Sequence, residues 1–215
     1  MQPVQRLMNA KEGWFHIAKT LYLVLGVPFF LITGLLSLVA LSGSSPGQDT
    51  RDSWSLVAMF WAPLVIPLIL FVKTSRTRGK LVKGILHSLK SSEMFWPSED
   101  CEFLIWNSGK YLGIDSQNGT ILYVNRIRKG QVDVVGLTMG DWTRRELEGK
   151  KLRIYTKLPQ LPCIEISTPW AQRWYDILGA MEYQRYTTPK PFGQYVSEHV
   201  EALESENNIH IPKLA

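Results

Sequence analysis

Two long apolar runs dominate the first third of the chain. Positions 21–41, LYLVLGVPFFLITGLLSLVAL, hold 21 residues without a charge, and positions 54–72, WSLVAMFWAPLVIPLILFV, hold 19 more. At ~1.5 Å rise per residue, helices over these runs reach roughly 32 Å and 28 Å, against about 30 Å for the hydrocarbon core of a bilayer. A backbone in lipid must satisfy its own N–H and C=O groups, and two segments cannot close a barrel. The pattern therefore predicts a transmembrane helical hairpin over 21–72. Pro28, Pro63 and Pro67 each remove a donor, which membrane helices accommodate as kinks. Trp54 at one end, and Trp14, Phe15 and Tyr22 at the other, stand where amphipathic rings favour the headgroup level. A cleaved signal peptide would carry an apolar region of only ~7–15 residues, and here a second run follows at once.

Residues 1–20 form an N-terminal segment in which a short helix over 4–19 is expected, without a clean period. Residues 73–98 follow the hairpin as a basic juxtamembrane helix and linker. Leu81, Val82, Ile85, Leu86 and Leu89 share one helical face, with Lys80, Lys83 and Lys90 mostly elsewhere. Such a helix either rests on anionic headgroups or packs its apolar face on the domain that follows. On the first alternative Lys73, Arg76, Arg78, Lys80 and Lys83 are the candidate membrane-surface contacts.

From residue 99 the rhythm changes. The runs EFLIW (102–106), KYLGID (110–115), TILYVNRI (120–127), QVDVVGL (131–137), KLRIYTK (151–157) and PCIEIST (162–168) are short, rich in β-branched and aromatic residues, and divided by turn residues. Asn107-Ser-Gly109 and Asn118-Gly119 are hairpin punctuation. A further strand is expected over 138–145, broken near Gly140. Ser167 or Thr168 caps a helix on which Trp170, Trp174, Ile177, Leu178 and Met181 recur, with Pro169 in its first turn. The fold class is α+β: an N-terminal membrane hairpin, then a small antiparallel sheet domain over 99–186 closed by a C-terminal helix. That order resembles pleckstrin-homology-like domains, a likeness that by itself says nothing about a ligand. Residues 187–215 are expected as an acidic tail: a Pro/Gly linker, a short acidic helix in YVSEHVEALESE and a loose end.

The formal charge of +5 is unevenly placed. Positions 73–90 carry six basic residues and no acidic one, while residues 91–215 carry a net −2. Basic residues beside spanning segments stay on the cytoplasmic face, so both termini are expected inside and the 42–53 loop outside. The acidic balance of the folded part argues against nucleic acid as a partner. Cys101 and Cys163 are the only cysteines, too few for a zinc site and expected to stay reduced. No P-loop, GxGxxG, HExxH or GxSxG motif occurs, and His16, His87, His199 and His210 all lie outside the 99–186 domain. Asp115, Asp133 and Asp141 read as turn or core residues. The expectation is a protein with no enzymatic activity, cofactor or metal, acting by interaction. Trp142, Arg144 and Arg145 are its candidate partner-binding residues, of types enriched at binding hot spots, weighed against Trp142 being core.

An inner-membrane hairpin, a basic stretch and a small cytoplasmic domain carrying YLGIDSQNGTILYV and WAQRWYDIL together resemble the entry-exclusion proteins of conjugative plasmids, the ExcA type of the I and L/M incompatibility groups. The resemblance covers most of the chain and rests on layout and texture. It implies a protein of the bacterial inner membrane that blocks redundant transfer into a plasmid-bearing recipient by recognising an integral membrane component of the donor's transfer apparatus, of the TraY type. The lipid bilayer is the other expected partner, and a homo-oligomer is compatible with the sequence. Two other classes stay open: a scaffold or assembly subunit of a type IV secretion machine, and a lipid-sensing module. A reporter that works only in the cytoplasm, fused after Ala215, is expected to be active. Activity of a periplasm-dependent reporter at that position would reverse the orientation.

Overall fold

The computed structural model describes residues 17, 20–42 and 50–212. The helix expected over 4–19 falls outside the described residues apart from Ile17, as does 43–49 of the expected outer loop. The chain divides into two units, Met1–Thr74 and Ser75–Ala215.

In the first unit a π-helical turn, Tyr22–Gly26, leads into helix α1, Val27–Ser42, and helix α2, Thr50–Leu89, begins. Both helices are long and apolar enough to cross a membrane. Leu23, Val24, Phe29 and Leu36 on one, and Ile66, Leu68 and Ile69 on the other, stand exposed, the pattern of helices that take an apolar medium as solvent. The prolines leave a specific debt. Pro67 has no N–H for the carbonyl four residues earlier, that of Pro63, and the Tyr22 hydroxyl donates to that oxygen instead. Trp61 Nε1–H donates to the Gly34 carbonyl at 3.3 Å, and Thr33 Oγ1 returns to the Phe29 carbonyl at 2.8 Å. These polar groups are satisfied within the helix pair, as a medium without water demands.

A separate juxtamembrane helix was the expectation for residues 73–98, and here the structure differs: α2 continues without a break to Leu89. The segment KTSRTRGK contains no proline, and Gly79 is tolerated for a packing reason. The Trp106 ring lies against it so closely that a Cβ would stand 1.8 Å from Cε3.

Among the described residues, the second unit contains seven antiparallel strands in two sheets. One sheet has the order β1 (Glu102–Ile105), β2 (Lys110–Asp115), β3 (Thr120–Arg128), β4 (Gln131–Thr138); the other β5 (Trp142–Glu148), β6 (Lys151–Thr156), β7 (Cys163–Ser167). Two helices follow, α3 (Ala171–Met181) and α4 (Phe192–Asn207). The chain is α+β as expected, with β5 displaced towards the C-terminus from the expected 138–145. Asp141 explains the shift. Its Oδ2 accepts from the Thr138 N–H at 2.7 Å and the Thr138 hydroxyl at 2.6 Å, closing a turn where the strand was expected to run.

Alternation along β2–β4 sends side chains to two separate cores. Leu112, Ile114, Ile121, Tyr123 and Leu137 face the second sheet and α3, meeting Leu152, Ile154, Trp174 and Leu178. Tyr111, Leu122, Val124, Val132 and Val134 face the other way. There they meet Val82, Ile85, Leu86 and Leu89 of α2 and Phe192, Val196, Val200 and Leu203 of α4. The apolar face of the basic helix is thus spent on packing, and the lipid-resting alternative for that face falls away. A Lys90–Glu102 ion pair at 2.9 Å and a Tyr111 hydroxyl donating to Glu102 Oε2 at 2.7 Å fasten the end of α2 to the sheet. Burial first, and the Glu102 carboxylate second, push the Tyr111 phenol's pKa up, so it remains a donor.

The acidic helix expected in YVSEHVEALESE is present as α4, and the correction is that it belongs to the core and that the end expected to be loose is tied down at His210. Phe192, Val196, Val200 and Leu203 follow one another at spacings of four, four and three, a single narrow stripe that is fully used. Beyond it the His210 N–H donates to the Gly130 carbonyl at 2.7 Å and the Val132 N–H to the His210 carbonyl at 3.1 Å, so the chain at His210 lines the edge of β4. Phe192→Ala is expected to destabilise the folded unit by about 3–5 kcal/mol, as loss of a core aromatic does. Denaturant unfolding of detergent-solubilised protein measures this, and a change near zero would mean that α4 is not part of the core.

Candidate partner-recognition surface

The candidates Trp142, Arg144 and Arg145 are adjacent in sequence and are parted by a bulge. Register shifts between Trp142 and Arg144 as β5 pairs with β6, so Thr143 and Arg144 both point outward while Trp142 and Arg145 point to the core side. Trp142 is 6% exposed and belongs to the inner core, where its Nε1–H has no acceptor among the described residues. The core reading of Trp142 is the one the structure shows. The Arg145 guanidinium lies 4.6 Å from the Tyr175 ring centre and forms an ion pair with Glu182, bolting β5 to α3.

Arg144 alone of the three presents itself to solvent, its side chain 63% exposed. It lies over the Tyr155 ring at 4.2 Å and pairs with Glu146 at 3.0 Å. Around it the outer face of β5–β7 is a lattice of opposite charges. Arg153 bonds Glu148 at 2.8 Å and Glu165 at 2.9 Å, and the Tyr155 hydroxyl donates to Glu146 at 2.7 Å. The hydrogen bond from Arg153 holds the Glu165 carboxyl below the usual range, while the bond to Glu146 raises the Tyr155 phenol. Burial, with Glu165 next, pushes the Cys163 thiol up and away from the reactive thiolate. On β2, Lys110 reaches the Glu165 carbonyl at 3.1 Å, and burial lowers its pKa against the pull of that glutamate.

The basic candidates also separate. Lys73 belongs to the first unit and the others to the second. At about 100° per residue, Arg76, Lys80 and Lys83 fall within about 60° of one another, on the side away from Val82, Ile85, Leu86 and Leu89. All three are exposed. Arg78 turns inward and donates to the Asn107 carbonyl at 2.6 Å, and Lys83 lies over the Trp106 ring at 4.8 Å.

Among the described residues no cluster of His, Cys, Asp or Glu is arranged to hold a metal. Asp115 serves as a structural hub: its carboxylate accepts from the Trp96 N–H at 2.7 Å, the Gln117 N–H at 2.9 Å and Asn118 Nδ2 at 2.8 Å. Next to it Gly119, at φ +69°, sits under the Tyr186 ring. The segment YLGIDSQNGTILYV is therefore a folding element, with its chemistry spent on one turn.

The model of one protein family, Exclusion-determining protein, matches residues 1–215. The chain belongs to the exclusion-determining protein family. Neither a curated protein nor a solved structure matches it. Membership gives this exclusion protein a role in plasmid exclusion, and the family is not one of known enzymes.

Sequence reasoning missed two features of the exclusion protein. Trp170, expected on the core stripe with Trp174, precedes α3 and is 45% exposed beside Arg173 in an open groove with Pro169 and Ile177. Arg126 lies in the run expected as the 120–127 strand, and its approach to Arg78 is visible only in three dimensions. Trp142→Ala is expected to cost about 3–5 kcal/mol, and Arg144→Ala less than about 1 kcal/mol. Equal shifts in denaturant unfolding of the two variants would contradict the opposite placement of these neighbours.

Proposed function

We propose that this exclusion protein is anchored in the bacterial inner membrane by α1 and the apolar part of α2, with both termini in the cytoplasm. Its folded unit recognises an integral membrane component of the donor's transfer apparatus, of the TraY type, and so blocks redundant plasmid transfer. The observation that carries the anchoring is the exposed apolar surface of the two helices, followed directly in sequence by six basic residues within 73–90. The seven strands ordered four and three, with α3 after them, support a pleckstrin-homology-like reading of the folded unit, to which α4 adds a layer.

Of the three sequence candidates, we assign the partner contact to Arg144, whose exposure supports it. An exposed arginine held 4.2 Å over a tyrosine ring, with its charge balanced by Glu146, is preorganised for a protein contact. Expression of the chain in a recipient is expected to lower conjugation from a donor carrying the matching plasmid and to leave an unrelated donor unaffected. Arg144→Glu, at unchanged protein level, should relax exclusion, as loss of a hot-spot residue weakens affinity by more than about tenfold. Equal transfer in the matched and unmatched crosses would refute the exclusion reading, and loss of transfer from donors lacking the protein would point to a scaffold.

A further inference from the structure

The turn between β1 and β2 gathers positive charge for which no ion pair is found among the described residues. Arg78 and Arg126 flank Gly109, whose Cβ position lies 3.5 Å from the Arg78 Cβ and 3.3 Å from the Arg126 Cβ. Both guanidinium groups bond to backbone carbonyls, Arg78 to Asn107 at 2.6 Å and Arg126 to that of Arg128 at 3.3 Å. Arg78 Nε is buried with no acceptor among the described residues. Burial and the neighbouring Arg78 both lower the Arg126 pKa, the mark of like charges crowded together. Lys83 stands over Trp106 at the start of the same turn, and Trp106 is 41% exposed.

Two arginines brought together with no carboxylate partner among the described residues form an arrangement that an outside anion completes, and their planar forks suit phosphate oxygens. The geometry points to a binding site for the phosphate of anionic phospholipid headgroups, formed by Arg78, Lys83, Trp106 and Arg126. The chain itself favours lipid over other phosphates. Arg78 lies six residues beyond Val72, the last residue of the apolar run, so in any backbone conformation it stays within about 20 Å of it. An amphipathic indole among cations is the side chain that settles at headgroup depth. The net −2 of residues 91–215 would repel an extended polyanion such as DNA beyond the turn. The inference rests on the membrane anchoring proposed above and is independent of the donor component.

The test uses the full-length protein in nanodiscs of phosphatidylcholine alone or mixed with phosphatidylglycerol, with amide hydrogen exchange read in peptides covering 75–83 and 105–110. Exchange there is expected to slow by about fivefold or more with phosphatidylglycerol and to recover in high salt, while β6 and β7 are unchanged. Arg78→Gln combined with Arg126→Gln should abolish the difference; if that variant does not fold, the lipid and salt contrasts of the unaltered chain decide. Equal exchange in the two discs overturns the site. So does equal protection by inorganic phosphate or a short DNA duplex in neutral discs. A chain that does not enter discs at all removes the anchoring on which both readings stand, whereas a failed mating assay leaves this site untouched.

Discussion

Both faces of the sheet β1–β4 have to be kept from water, and the second unit is built around that requirement. Its strands carry apolar residues on each side, so one layer of cover cannot suffice. The second sheet and α3 close one face. The end of α2 and α4 close the other, which is why a helix that begins among lipid-type residues ends among core residues, and why the last residues described are structural. Loss of either cover would expose a continuous apolar surface.

In the first unit the governing constraint is the supply of backbone partners. Prolines in a helix free carbonyl oxygens, and in an apolar medium no water replaces the missing donors. Tyr22 meets that need at Pro63, and Trp61 adds a second link through Gly34. The aromatic residues that sequence reading assigns to the membrane surface include one whose hydroxyl is spent inside the helix pair.

These two requirements shape what is left for function. The charged side chains Arg144, Glu146, Glu148, Arg153 and Glu165 on the outer face of β5–β7 answer one another, and Arg144 is the one that also lies over a ring, that of Tyr155. The cations of α2 divide between a solvent-facing ridge and the turn at Trp106. The recognition proposed above suits a few preorganised, accessible groups on a rigid sheet better than a broad charged surface.

The sequence by itself determined the two apolar helices, the charge asymmetry, six of the seven strands nearly to the residue, and the helix α3, because each depends on local periodicity and turn chemistry. Asn118-Gly119 and Asn107-Ser-Gly109 are local hairpin signals, and each joins two paired strands here. Tertiary structure alone decided which faces those elements present. The near-continuous apolar runs TILYV and VDVVGL do announce a sheet covered on both sides, but not by what. Phe192, Val196, Val200 and Leu203 are too sparse to register as hydrophobic density, and their phase acquires meaning only against β4. Trp142, Arg144 and Arg145 read as one cluster until a single bulged residue sends them to opposite faces. Arg78 and Arg126 are 48 positions apart and become neighbours only when the turn at Gly109 lies between them. Local rules set where a strand or helix forms; long-range burial and charge set which of its side chains remain free to act.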